Sequence, residues 1–417
     1  MRNLAAGIAL AWAALGTASA EPALLERAQA GQPAALALLE KLVNIDSGTF
    51  NAAGLDAVGA LVSAELAQQG FRIEKVSAAP AAGSNLVATR TGTGKGRVLL
   101  VAHMDTVFAD GTAAKRPFRI DGRRAYGPGI MDDKGGIVIA IGASRLLAEN
   151  DFGTLTLLLN TNEETGSAGT RTLIERLARG HDVAFNLEPG RAADGLVVAR
   201  KGSGEIELDV TGKASHAGVA PKQGVNAALE AAHQVVQLSR LGDDAKATTV
   251  SWTVIQGGDR TNVIPDHASA KADVRASTPE EFDRVERDLR RLSTTQIVPE
   301  AKVSAVLKRD FPPMPASPVT DGLARRASAI YAEIGRKLTL ESSGGAADAS
   351  LLFAAGLPTI DGLGIVGGGI HTADEYAEVD SIAQRIYLLA RLIQEYGRAP
   401  GLAKPQQAVH SQQETTR

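Results

Sequence analysis

The chain has 417 residues, a formal charge of −3 at pH 7, 44% hydrophobic residues and no cysteine. That length exceeds one ordinary core and sets an expectation of roughly two to three domains. Interspersed charge of both signs excludes a basic stripe for nucleic acid, and the lack of thiols excludes disulfides and thiolate metal sites, which leaves a small-molecule substrate as the default.

Residues 1–20 carry Arg2, an apolar run from Leu4 to Leu15 and then Gly16-Thr17-Ala18-Ser19-Ala20. The run is short for a membrane span and ends in small residues at an Ala-x-Ala site, the pattern of a secretory signal peptide cut after Ala20. Export to a bacterial periplasm or the exterior is expected, and no other segment approaches the ~18 apolar residues of a span. Helices are predicted over 33–44 and 55–69, the second from the spacing of Leu55, Val58, Leu61, Val62 and Leu66 with Gly70 as its stop. Strands follow at 71–76, 85–91 and 97–103, then helix 134–150, strand 155–159, helix 169–178 and strand 183–187. Short apolar strands alternating with helices imply an α/β domain whose mixed, largely parallel sheet is covered by helices.

From about Lys201 the pattern becomes strictly alternating, as in Glu205-Ile206-Glu207-Leu208-Asp209-Val210, the sign of strands with one wet face. Strand 204–211, helix 224–239, strands 249–256 and 268–275, helix 279–293 and strand 302–308 give the β-α-β-β-α-β order of a ferredoxin-like α+β unit. Pro312-Pro313-Met314-Pro315 marks a linker, after which helix 321–335, the apolar segment 357–360 and helix 382–396 resume the first style. The expected organisation is a catalytic domain of 21–200 and 311–400, interrupted by a unit at 201–310 and followed by a disordered tail at 401–417.

Five potential metal ligands, His103, Asp132, Glu164, Glu188 and His371, sit where strands run out or glycine-rich turns begin. Carboxylates and imidazoles without thiols suit zinc, cobalt or manganese, and the set is that of a two-metal hydrolase. Residues i and i+2 of a strand face the same way, so Asp105 is expected beside the His103 imidazole, fixing its tautomer. Taken alone, His-x-Asp reads equally well as a polar strand terminus. From an extended backbone Glu163 and Glu164 diverge, so one can bind metal while the other takes a proton from water; an isolated acidic pair is more often a solvated turn. Asp132 leads a glycine-rich turn into a helix, where its short carboxylate could bridge two ions, and helix capping by Asp132 or Asp133 is the competing role. Glu188 closes a buried strand, where a carboxylate is costly unless paired or metal-bound.

Together Ala102-His103-Met104-Asp105-Thr106-Val107, Gly127-Pro128-Gly129 with Asp132-Asp133-Lys134-Gly135-Gly136, Glu163-Glu164-Thr165-Gly166-Ser167, Glu188-Pro189, Gly212-Lys213-Ala214-Ser215-His216-Ala217-Gly218, Asn262-Val263-Ile264-Pro265 and the late His371 resemble a known family. It is the co-catalytic zinc metallopeptidase family of glutamate carboxypeptidase, aminoacylase, succinyl-diaminopimelate desuccinylase and acetylornithine deacetylase. The resemblance spans about residues 42–396, and bacterial exported glutamate carboxypeptidases look the most similar. It implies two Zn2+ per subunit, with Co2+ or Mn2+ as substitutes: one ion on His103 and Glu188, the other on His371 and Glu164, with Asp132 bridging. Glu163 becomes the general base and Asp105 the orienting partner of His103. His216 is expected to reach the active site, often across a dimer, and to stabilise the oxyanion. Asn262, Arg275 and Gly345 are expected to hold the substrate, the planar fork of Arg275 suiting a carboxylate. Without the family pattern, His216 reads as a surface histidine and Arg275 as a salt-bridge partner. His181, His233, His267 and His410 match no motif. The chain departs from the pattern at Asn162, where Asp is common before the acidic pair, and at Ala347, where a hydroxyl residue is common before Asp348.

The implied reaction is metal-dependent hydrolysis of an amide that releases a C-terminal amino acid, with glutamate from N-acyl or folate-like substrates the first choice. Aminoacylase or dipeptidase action at the same site is the enzyme alternative, and an exported solute-binding protein with a degenerate site is the non-enzyme alternative. The alternating strands of 201–310 could leave an edge free to pair across a two-fold axis, so a homodimer through that unit is expected.

Overall fold

The Val98-Leu99-Leu100-Val101 run has no wet face because its strand, Arg97–His103, lies inside a six-stranded sheet. The computed structural model of the chain describes residues 21–403; the leader expected at 1–20 and the tail from 404 lie outside the described residues. Across the sheet the order is Arg72–Ser77, Ser84–Thr91, Thr154–Asn160, Arg97–His103, Val183–Asn186 and Thr359–Ile360. The first two strands join by antiparallel pairing, and the last four run parallel to one another. The expected mixed α/β fold is the observed one. Alternate residues of Arg97–His103 enter different cores: Val98, Leu100 and Ala102 pack with the helices Pro22–Val43, Lys134–Arg145 and Ser381–Arg398, and Leu99 and Val101 with Arg171–Arg179 and Asp348–Ala354. Each such buried Val or Leu stabilises the fold by about 1.5–3 kcal/mol.

Four parallel strands necessarily end on one edge, and in open α/β sheets that edge is where sites form. Here those ends deliver His103, the Glu163–Thr165 turn after Asn160, Glu188 after Asn186, and Asp361 after Ile360. The last strand comes from the returning C-terminal segment, so residues far apart in sequence meet at one edge.

The first helix is longer than expected, running Pro22–Val43 through Pro33 instead of starting there. Pro33 mimics a helix start, but Leu24, Ala28, Ala35, Leu39 and Leu42 continue one buried stripe through it, and packing overrides the local breaker. The tail expected to be disordered from 401 begins as the single turn Pro400–Ala403, with Ala403 buried in the main core.

Between Gly202 and Arg309 lies a four-stranded antiparallel sheet in the order Thr249–Gly257, His267–Ala276, Gly202–Thr211, Lys302–Arg309, with helices Ala227–Leu238 and Pro279–Leu292. This is the ferredoxin-like order read from the alternation. Ile206, Leu208 and Val210 face inward, while Glu205 and Glu207 meet Lys271 and Lys308 on the open face. The proline-rich crossing is a bonded ribbon, with Arg200 N–H donating to the Met314 carbonyl at 2.8 Å and Met314 N–H returning to Arg200 at 3.0 Å.

Candidate metal centre

All five proposed ligands converge at the sheet edge. Asp132 stands between the two histidines: its Oδ1 is 2.9 Å from His103 Nε2, and its Oδ2 is 3.2 Å from His371 Nε2. Glu188 Oε1 lies 3.6 Å from His103 Nε2, and Glu164 Oε2 lies 3.4 Å from His371 Nε2. Donor atoms of His103, Asp132 and Glu164 fall within 4.8 Å of one another, as do those of His103, Glu163 and Glu188. His371 approaches from the open side, its backbone at φ 62° following Gly369 at φ 71°. Glu163 and Glu164 do diverge, though from a single 3-10 turn instead of an extended backbone.

Burial and mutual repulsion raise Glu163 well above the usual carboxyl range, and burial together with Asp132 pushes Glu188 up to about 8. Burial would lower His103, but Asp105 and Asp132 hold it well above the ordinary histidine value. His371 is raised to about 10 by Asp132 and Glu164. Two buried carboxylate oxygens here, Glu164 Oε1 and Asp133 Oδ1, have no hydrogen-bond partner. Crowded carboxylates, orphaned oxygens and two imidazoles without thiols make a donor set that fits divalent zinc, cobalt or manganese.

Asp105 lies beside His103 and does more than the expectation gave it. His103 Nδ1 lies 3.0 Å from the Asp105 backbone carbonyl and 3.4 Å from its carboxylate. Both the carbonyl and the carboxylate of Asp105 thus face the imidazole, and the carboxylate helps to hold its charged form. The Asp105 carboxylate also accepts from Thr49 Oγ1 at 2.8 Å and from the Glu163 and Glu164 N–H groups at 3.1 and 3.2 Å, fixing the acidic turn. Asp133 caps no helix with its side chain; Oδ2 accepts from His103 N–H at 3.2 Å.

Sequence reading missed the supports. Glu375 is buried and accepts from the N–H groups of Gly129, Met131 and Asp132 at 2.9, 2.9 and 3.1 Å, tying the Asp132 loop to the His371 segment; burial pushes it up to about 7 despite those three donors. Lys134 is buried, donates to the Ile45 carbonyl at 2.8 Å, and is lowered to about 8 by burial. Glu375 and Lys134 each adjoin another charged residue, Asp374 and Asp133, and look like ordinary surface residues in one dimension.

The insert residues are not gathered. His216 and Asn262 share a short exposed ribbon, where His216 pairs with Val263 and Ala217 N–H donates to the Asn262 carbonyl at 2.9 Å. His216 Nδ1 accepts from the N–H groups of Gly218 and Val219, both at 3.1 Å, which leaves Nε2 to carry the proton and point onward as a donor. Arg275 is engaged by Asp273, with Nε 3.0 Å from Oδ2 and Nη2 2.9 Å from Oδ1. Among the described residues no hydrogen bond or ion pair joins these three to the five-ligand group. Gly345 is exposed, and its carbonyl accepts from Arg200 Nη1 at 3.1 Å.

Both departures have structural roles. With its amide oriented to suit its neighbours, Asn162 donates to Asn160 Oδ1 at 3.0 Å and Thr170 Oγ1 at 2.7 Å and accepts from Ala168 and Gly169 N–H. It therefore closes the turn behind Glu163. Ala347 is fully buried ahead of Asp348, whose carboxylate accepts from Asn160 Nδ2 at 2.7 Å and Ser167 Oγ at 2.5 Å.

A sheet-edge cluster of this composition on this fold defines a metal-dependent hydrolase. The chain belongs to peptidase family M20/M25/M40, whose profile matches residues 99–395. It is similar to carboxypeptidase G2 of Pseudomonas sp. (strain RS-16), 40% identical over 404 residues and covering 94% of this chain and 97% of the relative. It is also similar to succinyl-diaminopimelate desuccinylase of Sphingopyxis alaskensis, 27% identical over 345 residues, 78% of this chain and 89% of the relative. Among solved structures, aminopeptidase PepT of Bacillus cereus superposes with a TM-score of 0.74 at 25% identity, covering 87% of this chain and 98% of that one. The M20 metallo-carboxypeptidase Sso-CP2 of Sulfolobus solfataricus shares the fold, with a TM-score of 0.69 at 17% identity, over 87% and 99% of the chains.

Proposed function

We propose that this metal-dependent carboxypeptidase releases a C-terminal glutamate from N-acyl or folate-like substrates, using two zinc ions. The observation that carries the two-ion reading is Asp132, whose two oxygens face different histidines. His103 and Glu188 would hold one ion, His371 and Glu164 the other, and Asp132 would serve both. Bound there, the ions supply Lewis-acid polarisation of the scissile carbonyl and ease ionisation of water. Glu163 takes the proton from the attacking water and returns it to the leaving amine nitrogen. His216 donates its Nε2–H to the oxyanion as the carbonyl becomes tetrahedral.

His216 would do so from a second subunit. Supporting a dimer are the unpaired side of edge strand Thr249–Gly257 and the exposed apolar residues Ile255, Leu229 and Val236 on the same unit. Export is proposed from the Arg2 to Ala20 leader pattern; among the described residues no helix is long and apolar enough to cross a membrane.

One observation supports a second reading. Arg275, the guanidinium assigned to the substrate carboxylate, would exchange Asp273 for the free carboxylate that N-acyl amino acids and dipeptides also carry, so the same site could act on them. Purified protein assayed on pteroyl-glutamate, acetyl-amino acids and dipeptides separates the two: kcat/KM highest on the glutamyl amide supports glutamate release, and a preference for the others overturns it.

A further inference from the structure

Arg200 is 3% exposed and lies where the chain crosses into the insert, its backbone paired with Met314. Its guanidinium divides among several acceptors. Nε meets the buried Asp361 carboxylate, Nη2 donates to Glu188 Oε2 at 3.4 Å, and Nη1 reaches the Gly345 carbonyl at 3.1 Å and Ser343 Oγ at 3.5 Å. Asp361 is itself held by Asn186 Nδ2 at 3.0 Å, two residues before Glu188. Asn186, Asp361, Arg200 and Glu188 thus form a chain of side chains that ends on the candidate metal ligand Glu188.

The two proposed glutamate ligands differ as a result. Glu164 has Oε2 toward His371 and a buried Oε1 with no partner, so both of its oxygens are available. Glu188 has Oε1 toward His103 and Oε2 committed to Arg200. We propose, resting on the ligand reading above, that Arg200 is a positioning residue that restricts Glu188 to one metal-facing oxygen and makes the two ion positions unequal. A pair with Asp361 alone would neutralise the buried guanidinium; the reach to Glu188 is the additional feature. A planar fork can hold two carboxylates at fixed angles, whereas an ammonium cannot.

The test titrates metal-free protein with Co2+ against a competing chelator and records the Co2+ absorption spectrum, for wild type, Arg200→Lys and the charge-neutral double variant Arg200→Gln with Asp361→Asn. Both variants are expected to bind one Co2+ within about twofold of wild type and the other about 10-fold to 100-fold more weakly, the usual cost of losing an outer partner of a ligand, with a changed spectrum for the weakened ion. Wild-type affinities in a folded Arg200→Lys would mean that charge alone matters and would overturn the proposal. Tighter binding in the double variant would do the same, since Arg200 would then merely repel the ion. Loss of fold in both variants by circular dichroism would make Arg200 a fold residue and also overturn it. Wild type that takes up no ion would instead sink the metal reading on which the proposal rests.

Discussion

At the edge of the six-stranded sheet, side chains from five separate segments approach one another at 2.9 to 3.6 Å; on the inserted unit, His216, Asn262 and Arg275 have local partners and, among the described residues, no hydrogen bond or ion pair to that group. The difference follows from topology. Parallel strands end together, so a crossover fold collects distant residues at one edge within a single chain. An antiparallel sheet with helices on one face has no such shared edge, and its functional residues stay on the surface until a second surface arrives. The five candidate ligands come together within one chain; on the proposal above, the oxyanion and substrate contacts would come from a second copy.

The comparison breaks most readily at Glu163. Glu163→Gln should retain both ions and lose about 10²–10⁴-fold in kcat, the range for a positioned general base; a variant with near-normal turnover and full metal would remove Glu163 from that role. His216 tests the other half. His216→Ala should lose about 10²–10³-fold in kcat, as for an oxyanion donor, with metal content unchanged. Mixing and refolding it with Glu163→Gln protein should restore part of the activity, because a mixed dimer pairs an intact base with an intact donor. Absence of restoration, with full activity in a monomer obtained by charging the Ile255 edge, would place His216 in its own chain's site.

The metal centre should also reveal itself through pH. Glu188 sits near 8 and His371 near 10, both above their unfolded values, so without metal each contributes stability at low pH that is lost as pH rises through those values. Chelated protein should therefore unfold at a higher temperature at pH 6 than at pH 8.5, whereas zinc-loaded protein should reverse the trend because its ligands must shed protons to bind. The insert gives the opposite sign and a smaller effect. Glu281, held near 2 chiefly by Arg284 and also by Thr248, contributes stability above the unfolded carboxyl value of about 4.3 and loses it as pH falls toward 2. Glu281→Gln should cost roughly 1 kcal/mol or less at pH 7 and nothing near pH 2, measured by urea unfolding.

Much of this was legible in one dimension for stated reasons. Continuous apolar runs such as 98–101 mark buried parallel strands, and strict alternation from Glu205 to Val210 marks a sheet with one wet face; both periods appear in the fold. Candidate ligands that follow strand ends, such as His103 and Glu188, inherit that legibility. Pro33 was misleading because a breaker's local cost was outweighed by a buried stripe on both sides. Glu375, Arg200 and Asp361 were invisible because a buried charge is recognised only through partners far away in sequence: Glu375 clamps a loop about 245 residues earlier, and Asp361 meets Arg200 across 161. Asp105 faces His103 as its spacing implies, whereas its bonds to Thr49 and to the Glu163 and Glu164 N–H groups join segments too far apart in sequence to be read from it.

The most direct test of the two-metal carboxypeptidase reading is glutamate release from pteroyl-glutamate by purified protein, before and after chelation and zinc readdition, with metal counted per chain. The account predicts about two ions per chain, loss of release on chelation and its recovery with zinc. Glutamate release that persists in metal-free protein, or a chain that takes up no zinc, would contradict it.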